Sequence, residues 1–256
     1  MMDFTHSRYN GLLTAFREQG YRFLTFLEYL EGKAEGKTVI LRHDVDRDLS
    51  SALRMAEMEA RQDLRATYNF RQDAFRRNPG LIASVQELGH EIGYHYEELA
   101  RHRGDQHKAL EHFRNNLEEA RRVANVHTIV MHGSPLSRYH NLLLWKNNDY
   151  RALNLAGEAY LDVDYREVFY LTDTGRLWND RHFNLRDHCI ATPDLSWCGT
   201  NALIRDIRRG VLPSKVMLNV HPGRWNPPGL RWVQAWGWQW VKNAGKFFLK
   251  PLILKR

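Results

Sequence analysis

Cysteine is scarce in this chain: Cys189 and Cys198 are the only two among 256 residues. That is too few for a disulfide framework or a cysteine-built zinc site, and it favours two free thiols in a reducing compartment. Long apolar runs are missing as well, with nothing near the roughly 20 residues of a transmembrane span. The opening Met1-Met2-Asp3-Phe4-Thr5-His6 lacks the basic-then-apolar pattern of a secretory signal. Internal repeats and low-complexity linkers are absent too. The expectation from these absences is one cytoplasmic domain spanning residues 1–256.

What is present is ordinary for a globular protein, with 43% hydrophobic and 26% charged residues. The net charge of +7 suggests an anionic partner or surface. Positive charge concentrates at the end. There Arg231-Trp232-Val233-Gln234-Ala235-Trp236-Gly237-Trp238-Gln239-Trp240 precedes Lys242, Lys246, Lys250, Lys255 and Arg256. A basic aromatic helix over about 230–256 suits either a membrane interface, to which the protein would be peripheral, or the cap of a core.

Short apolar strands alternate with helix-length segments, which predicts an α/β architecture. Strands are expected at Thr38–Arg42, Ala66–Phe70, Glu91–Tyr96, Thr128–Met131, Val168–Leu171 and Val216–Val220. Helices are expected at Ser7–Gln19, from Asp48 to Gln62, Asn78–Leu88, Gln106–Ala124 and Thr200–Arg209.

The chemistry gathers where those strands end. In Arg42-His43-Asp44-Val45-Asp46 the alternation of a strand sends Asp44 and Asp46 to the same side. Two carboxylates held together repel unless a cation or shared proton relieves them. A metal held by one of them, with the other left as a base, is the economical explanation, and histidine is its commonest partner ligand. His95, His132, Asp173 and His221 also fall at strand ends. In a parallel barrel such ends converge on one face, where loops build the active site.

These motifs resemble the NodB-homology polysaccharide deacetylases, carbohydrate esterase family 4. Arg42-His43-Asp44-Val45-Asp46 looks like an Asp-x-Asp form of the family's first motif, and Gly89-His90-Glu91-Ile92-Gly93 is similar to the lead-in of its second. Asn219-Val220-His221-Pro222 resembles the late strand-end motif, and Thr172-Asp173-Thr174-Gly175-Arg176 with Trp178 a weaker pocket-lining one. The resemblance reaches from about residue 38 to 225.

It implies a distorted, seven-stranded (β/α) barrel related to the TIM barrel. It also implies a divalent metal, zinc above all, and N-deacetylation of an acetamido sugar. By the same resemblance Asp44 is the general base, Asp46 and His95 are metal ligands, His221 is the general acid and Asp173 orients it. Arg42, Tyr94, Trp178 and Trp225 are the expected substrate contacts. Where the family has a second metal histidine this chain has Leu99, so His132 is the first candidate to complete the set, followed by His102 and Glu97; the alternatives are that His132 contacts substrate instead, or that the site works without metal. A cytoplasmic, basic protein fits a lipid- or nucleotide-linked sugar in bacterial surface polysaccharide synthesis, O-antigen or capsule. Another C–N hydrolase on the same fold, or an inactive glycan-binding barrel, remains as an alternative. Nucleic acid is not expected, since no binding motif is present and strand-end carboxylates repel phosphate.

Overall fold

Alternation decides this fold. In each main strand one set of residues is apolar and packs outward under helices, while the other set turns inward and becomes polar toward the strand's end. The computed structural model describes residues 2–135, 137–179, 195–229, 232–233 and 237. Its strands are β1 (Arg22–Leu24), β2 (Thr38–Val45), β3 (Thr67–Phe70), β4 (Glu91–Tyr96), β5 (Val126–Met131), β6 (Gly157–Glu158), β7 (Phe169–Thr172) and β8 (Lys215–Val220). The helices are α1 (His6–Glu18), α2 (Phe26–Leu30), α3 (Leu49–Ala60), α4 (Gln72–Arg77), α5 (Pro79–Glu87), α6 (Glu98–Arg101), α7 (Gln106–Arg121) and α8 (Thr200–Arg208).

Seven strands run in the order β6-β5-β4-β3-β2-β8-β7, every neighbouring pair parallel. The eighth, β1, pairs Arg22–Leu24 with Thr38–Ile40, whereas β3 pairs with Arg42–Val45. With β8 on the opposite edge of β2, β1 and β3 therefore share one edge in succession. The sheet curls into a distorted half-barrel, and among the described strands no backbone pairing joins β6 to β7.

The outward residues Leu41, Val45, Tyr68, Phe70, Ile92, Tyr94, Tyr96, Leu218 and Val220 form the main core beneath the helices. Inside, Ile40, Val130, Tyr170 and Met217 fill the lower part of the barrel. Above them Arg42, Asp44, Asn69, His95 and Asn219 take over, all buried. Polar groups are also buried in the outer layer, among them Glu59 on α3, which accepts from Tyr9 and, at 2.8 Å each, from Tyr68 and His43, tying α1, α3, β2 and β3 together.

The expected strands and helices are present with ends shifted by a few residues, and β2 runs through Val45, so Asp44 lies within it. The short elements β1, β6, α2, α4 and α6 carry too little pattern to be expected. The basic aromatic helix anticipated over 230–256 lies outside the described residues, apart from positions 232, 233 and 237. No helix among the described residues is long and apolar enough to cross a membrane.

Candidate active site

Asp46 is the first residue after β2, His95 the fifth residue of β4, and His132 the first after β5. Asp48, not Asp44 or Asp46, caps α3, accepting the Ser51 N–H at 3.1 Å, so both strand-end carboxylates remain available for other work. The Nε2 atoms of His95 and His132 lie 3.7 and 3.6 Å from the same atom, Asp46 Oδ1. Their rings are perpendicular, with centroids 5.2 Å apart. One donor atom from each of the three residues falls within 4.8 Å of the others.

A carboxylate oxygen and two imidazole nitrogens facing one point are the donor set of a divalent transition metal. Each histidine is also held from behind. His95 Nδ1 lies 3.1 Å from the Val130 carbonyl, which can only accept, so Nε2 is left with its lone pair toward the site. Asp44 and Asp46 add an electrostatic demand for positive charge. Burial pushes the His95 imidazole down, but these two carboxylates outweigh it and raise its affinity for a proton. A cation at this point would answer the same demand.

His132, the first candidate in place of Leu99, is the third member of this group; Leu99 itself is buried in the outer core. Of the other candidates, His102 pairs with His112 at 2.9 Å, and Glu97 touches His132 from behind instead of joining the three.

Asp44 is saturated. Arg42 grips it with two bonds, Nε to Oδ1 at 2.9 Å and Nη2 to Oδ2 at 2.6 Å. Asn69 Nδ2 adds a third donor at 3.2 Å to Oδ1, and Asn219 Nδ2 a fourth at 3.1 Å to Oδ2. Burial pushes this carboxyl up, yet Arg42, His95 and His221 hold it well below the ordinary carboxylate range. A general base needs a lone pair and an appetite for protons, so this geometry tells against the base role expected of Asp44.

On the far side of the site His221 follows β8, and Asp173 follows β7. Asp173 Oδ1 lies 2.7 Å from His221 Nδ1, and Oδ2 accepts the His221 backbone N–H at 3.0 Å. Arg224 Nη1 reaches Oδ1 at 2.5 Å and packs 2.8 Å from the same ring nitrogen, while Trp225 Nε1 donates to Oδ2 at 2.8 Å. Burial pushes Asp173 up, and Arg224 and His221 more than reverse this, to about 2. The ionised carboxylate orients the imidazole and supplies counter-charge when it is protonated. His221 is also close enough to help hold Asp46 ionised.

The four expected substrate contacts are corrected. Arg42 is fully buried, committed to Asp44 and packed on Tyr160, with its guanidinium 4.9 Å from that ring's centre. Tyr94 alternates with His95, so it faces the helices, where it bonds Glu98 and packs on Phe75 and Phe113. Trp178 is buried against Phe4 and Trp225, its Nε1 donating to Thr200 at 3.2 Å. Trp225 is buried as the clamp on Asp173 just described. None of these side chains is open to a ligand. His90, within the second motif, is structural: it bridges the Ala66 N–H and the Ala56 carbonyl. Cys198 is a free, exposed thiol; Cys189 lies outside the described residues.

Sequence reasoning missed Asn69 and Asn219, although both stand at strand-end positions beside β2 in the sheet. Gly93 explains how Asn69 fits: a methyl group there would sit 2.0 Å from Asn69 Oδ1. Gly93→Ala is expected to move Asn69 off Asp44 and to destabilise the fold by about 1–3 kcal/mol through overpacking, a loss that thermal denaturation reads.

These features define a half-open (β/α) barrel bearing, at its strand ends, an Asp/His/His group that could hold a metal ion and a His–Asp pair. No family model matches the chain, and no curated protein does. Among solved structures it is similar to a carbohydrate esterase family 4 pseudoenzyme from Bacillus anthracis, at 11% identity and a TM-score of 0.45 over 83% of this chain and 62% of that one. It therefore spans less than two thirds of that relative's length. A Streptococcus mutans family 4 esterase shares 12% identity, with a TM-score of 0.46 over 88% of this chain and 87% of that one. The peptidoglycan deacetylase of Bacillus subtilis shares 12% identity, with a TM-score of 0.41 over 85% and 98%.

Proposed function

We propose that the protein is a metal-dependent hydrolase that removes the acetyl group from an acetamido sugar. The observation that carries the proposal is the convergence of Asp46 Oδ1, His95 Nε2 and His132 Nε2 on one point. The motif resemblance around Asp44, Asp46, His95 and His221 supplies the reaction class. A divalent ion at that point, zinc being the best match to the donors, supplies a Lewis acid that polarises an amide carbonyl and acidifies water.

His221, held by Asp173, hands a proton to the departing amine, releasing acetate and a free amino sugar. Two residues are candidate acceptors for the proton lost by the attacking water. Motif resemblance assigns it to Asp44. The four donors around Asp44 favour His221 instead, which would then take the proton and return it to the leaving group. Asp44 in that case serves as a fixed negative charge beside His95. The substrate we propose is a lipid- or nucleotide-linked sugar of bacterial surface polysaccharide synthesis, handled in the cytoplasm, which accords with a net charge of +7.

Elemental analysis of the purified protein beside Asp46→Ala, His95→Ala and His132→Ala variants tests the reading. About one equivalent of zinc, lost in each variant, upholds it. A protein that takes up no metal after reloading overturns it in favour of a metal-free hydrolase or a glycan-binding barrel. With metal and an acetate-release assay in hand, Asp44→Asn assigns the base. Full loss of turnover with metal retained points to Asp44, and surviving turnover points to His221.

A further inference from the structure

The residue after β4, Glu97, was a candidate ligand, and the structure gives it different work. Its Oε1 is gripped by Arg71 and, at 2.6 Å, by Arg101 Nε. Its Oε2 lies 2.8 Å from His132 Nδ1, the ring nitrogen turned away from the cation site. Ser134 completes a short relay: its Oγ lies 3.0 Å from His132 Nδ1 and donates to Glu97 Oε2 at 3.4 Å. Asn141 Nδ2 donates to Ser134 Oγ at 3.2 Å and to the His132 carbonyl at 2.7 Å, while its Oδ1 accepts the Ala100 N–H at 2.9 Å.

The direction of every bond in this relay follows from the one member that can only accept. Ionised Glu97 takes the Ser134 proton. Asn141 offers Ser134 a second donor, so the hydroxyl oxygen has only acceptor capacity left for His132. Nδ1 must then carry the hydrogen, whether it faces Ser134 or Glu97, and Nε2 is left with the lone pair that a cation needs. The loop is held in this shape at a conformational cost, since Ser134 has φ 41°, in the left-handed region that residues other than glycine seldom occupy.

We infer that Glu97 is the positioning residue that makes His132 a metal ligand: clamped by Arg71 and Arg101, it fixes the His132 ring and its tautomer through direct contact and through Ser134. This rests on the metal reading above. It also explains how a histidine from another strand can serve where Leu99 stands. His95 is fixed by a backbone carbonyl that no substitution removes, whereas His132 depends on a side chain.

The test is zinc affinity, measured by competition with a chromophoric chelator, for the wild type, Glu97→Gln and Glu97→Asp. Glu97→Gln keeps the size but can present an amide N–H to His132 and Ser134, reversing the relay. It is expected to weaken zinc binding by about 10-fold or more, the usual range for partners behind a ligand. Glu97→Asp, which keeps the charge, is expected to lose less. A nitrogen-15 spectrum of the zinc-loaded wild type gives a reading independent of any variant's folding, and His132 should carry its proton on Nδ1. If the wild type binds zinc but Glu97→Gln binds within twofold of it, the assignment of Glu97 fails and the metal reading stands. A His132 ring protonated on Nε2 in the loaded wild type overturns the assignment and also removes His132 Nε2 from the ligand set, so it counts against the proposed site. A wild type that binds no zinc overturns both.

Discussion

Replacing Arg42 with methionine is expected to destabilise the protein by about 3–5 kcal/mol, the usual loss when one partner of a buried ion pair is removed. Arg42 is wholly buried inside the barrel and Asp44 nearly so, with side-chain exposures of 0% and 5%. Without the guanidinium, Asp44 keeps only the amides of Asn69 and Asn219 as donors. It must then either stay charged at high cost or take up a proton. For a chain of this size the melting temperature is expected to fall by roughly 10 °C. The double variant Arg42→Met/Asp44→Asn separates charge from shape. Neutralising the stranded carboxylate is expected to restore most of the loss, since a buried pair replaced at both ends is often close to neutral. A double variant no better than the single would mean that Arg42 acts through its packing on Tyr160.

The second large effect is at Asp173. Asp173→Asn removes the charge that orients His221 and balances Arg224, and the expected loss in turnover is about 10²- to 10⁴-fold, the usual worth of a positioned proton-transfer group. Zinc content should not change, because Asp173 is not among the three ligand residues. The same carboxylate leaves a signature in acid. Its folded-state pKa is about 2, below the ordinary value of 3.8, so ionised Asp173 contributes stability that is fully present above about pH 4. That contribution drains away as the pH falls through the folded-state value, and it amounts to about 2 kcal/mol. Between pH 4 and pH 2 the wild type is therefore expected to lose stability faster than Asp173→Asn, as urea denaturation across that range would show. Parallel curves would mean that the Asp173 carboxyl is not depressed in the native state.

How much of this could be read from the chain follows from which interactions are local. Asp44 and Asp46 on one side of β2, and His95 five residues along β4, are matters of period two, and period two is written in the sequence. The same rule puts Tyr94, one residue before His95, among the helices, and Arg42, two residues before Asp44, beside it. Those two errors came from reading motif neighbours as ligand contacts without following the pleat. His132 as the third member of the cation site was legible only as a strand-end histidine; its meeting with Asp46 depends on β2 and β5 facing each other across the curled sheet. The clamp of Trp225 on Asp173, 52 positions away, and the crowding of Gly93 against Asn69 are products of tertiary packing with no local sequence pattern.

Among the described strands no backbone pairing closes the barrel between β6 and β7, and phenol groups reach across its interior there. Tyr160, just after β6, meets Tyr170 of β7 hydroxyl to hydroxyl at 3.4 Å and also accepts from Arg42 Nη2 at 3.1 Å. A sheet joined edge to edge has its radius dictated by strand number and stagger. Here side chains bridge the interior: this tyrosine–arginine contact below, and the Asp46, His95 and His132 cluster above, at the ends of three separate strands. A cation seated there would act as a crosslink between the ends of β2, β4 and β5, so gaining or losing it would bear on the stability of the fold and not only on the chemistry at its rim.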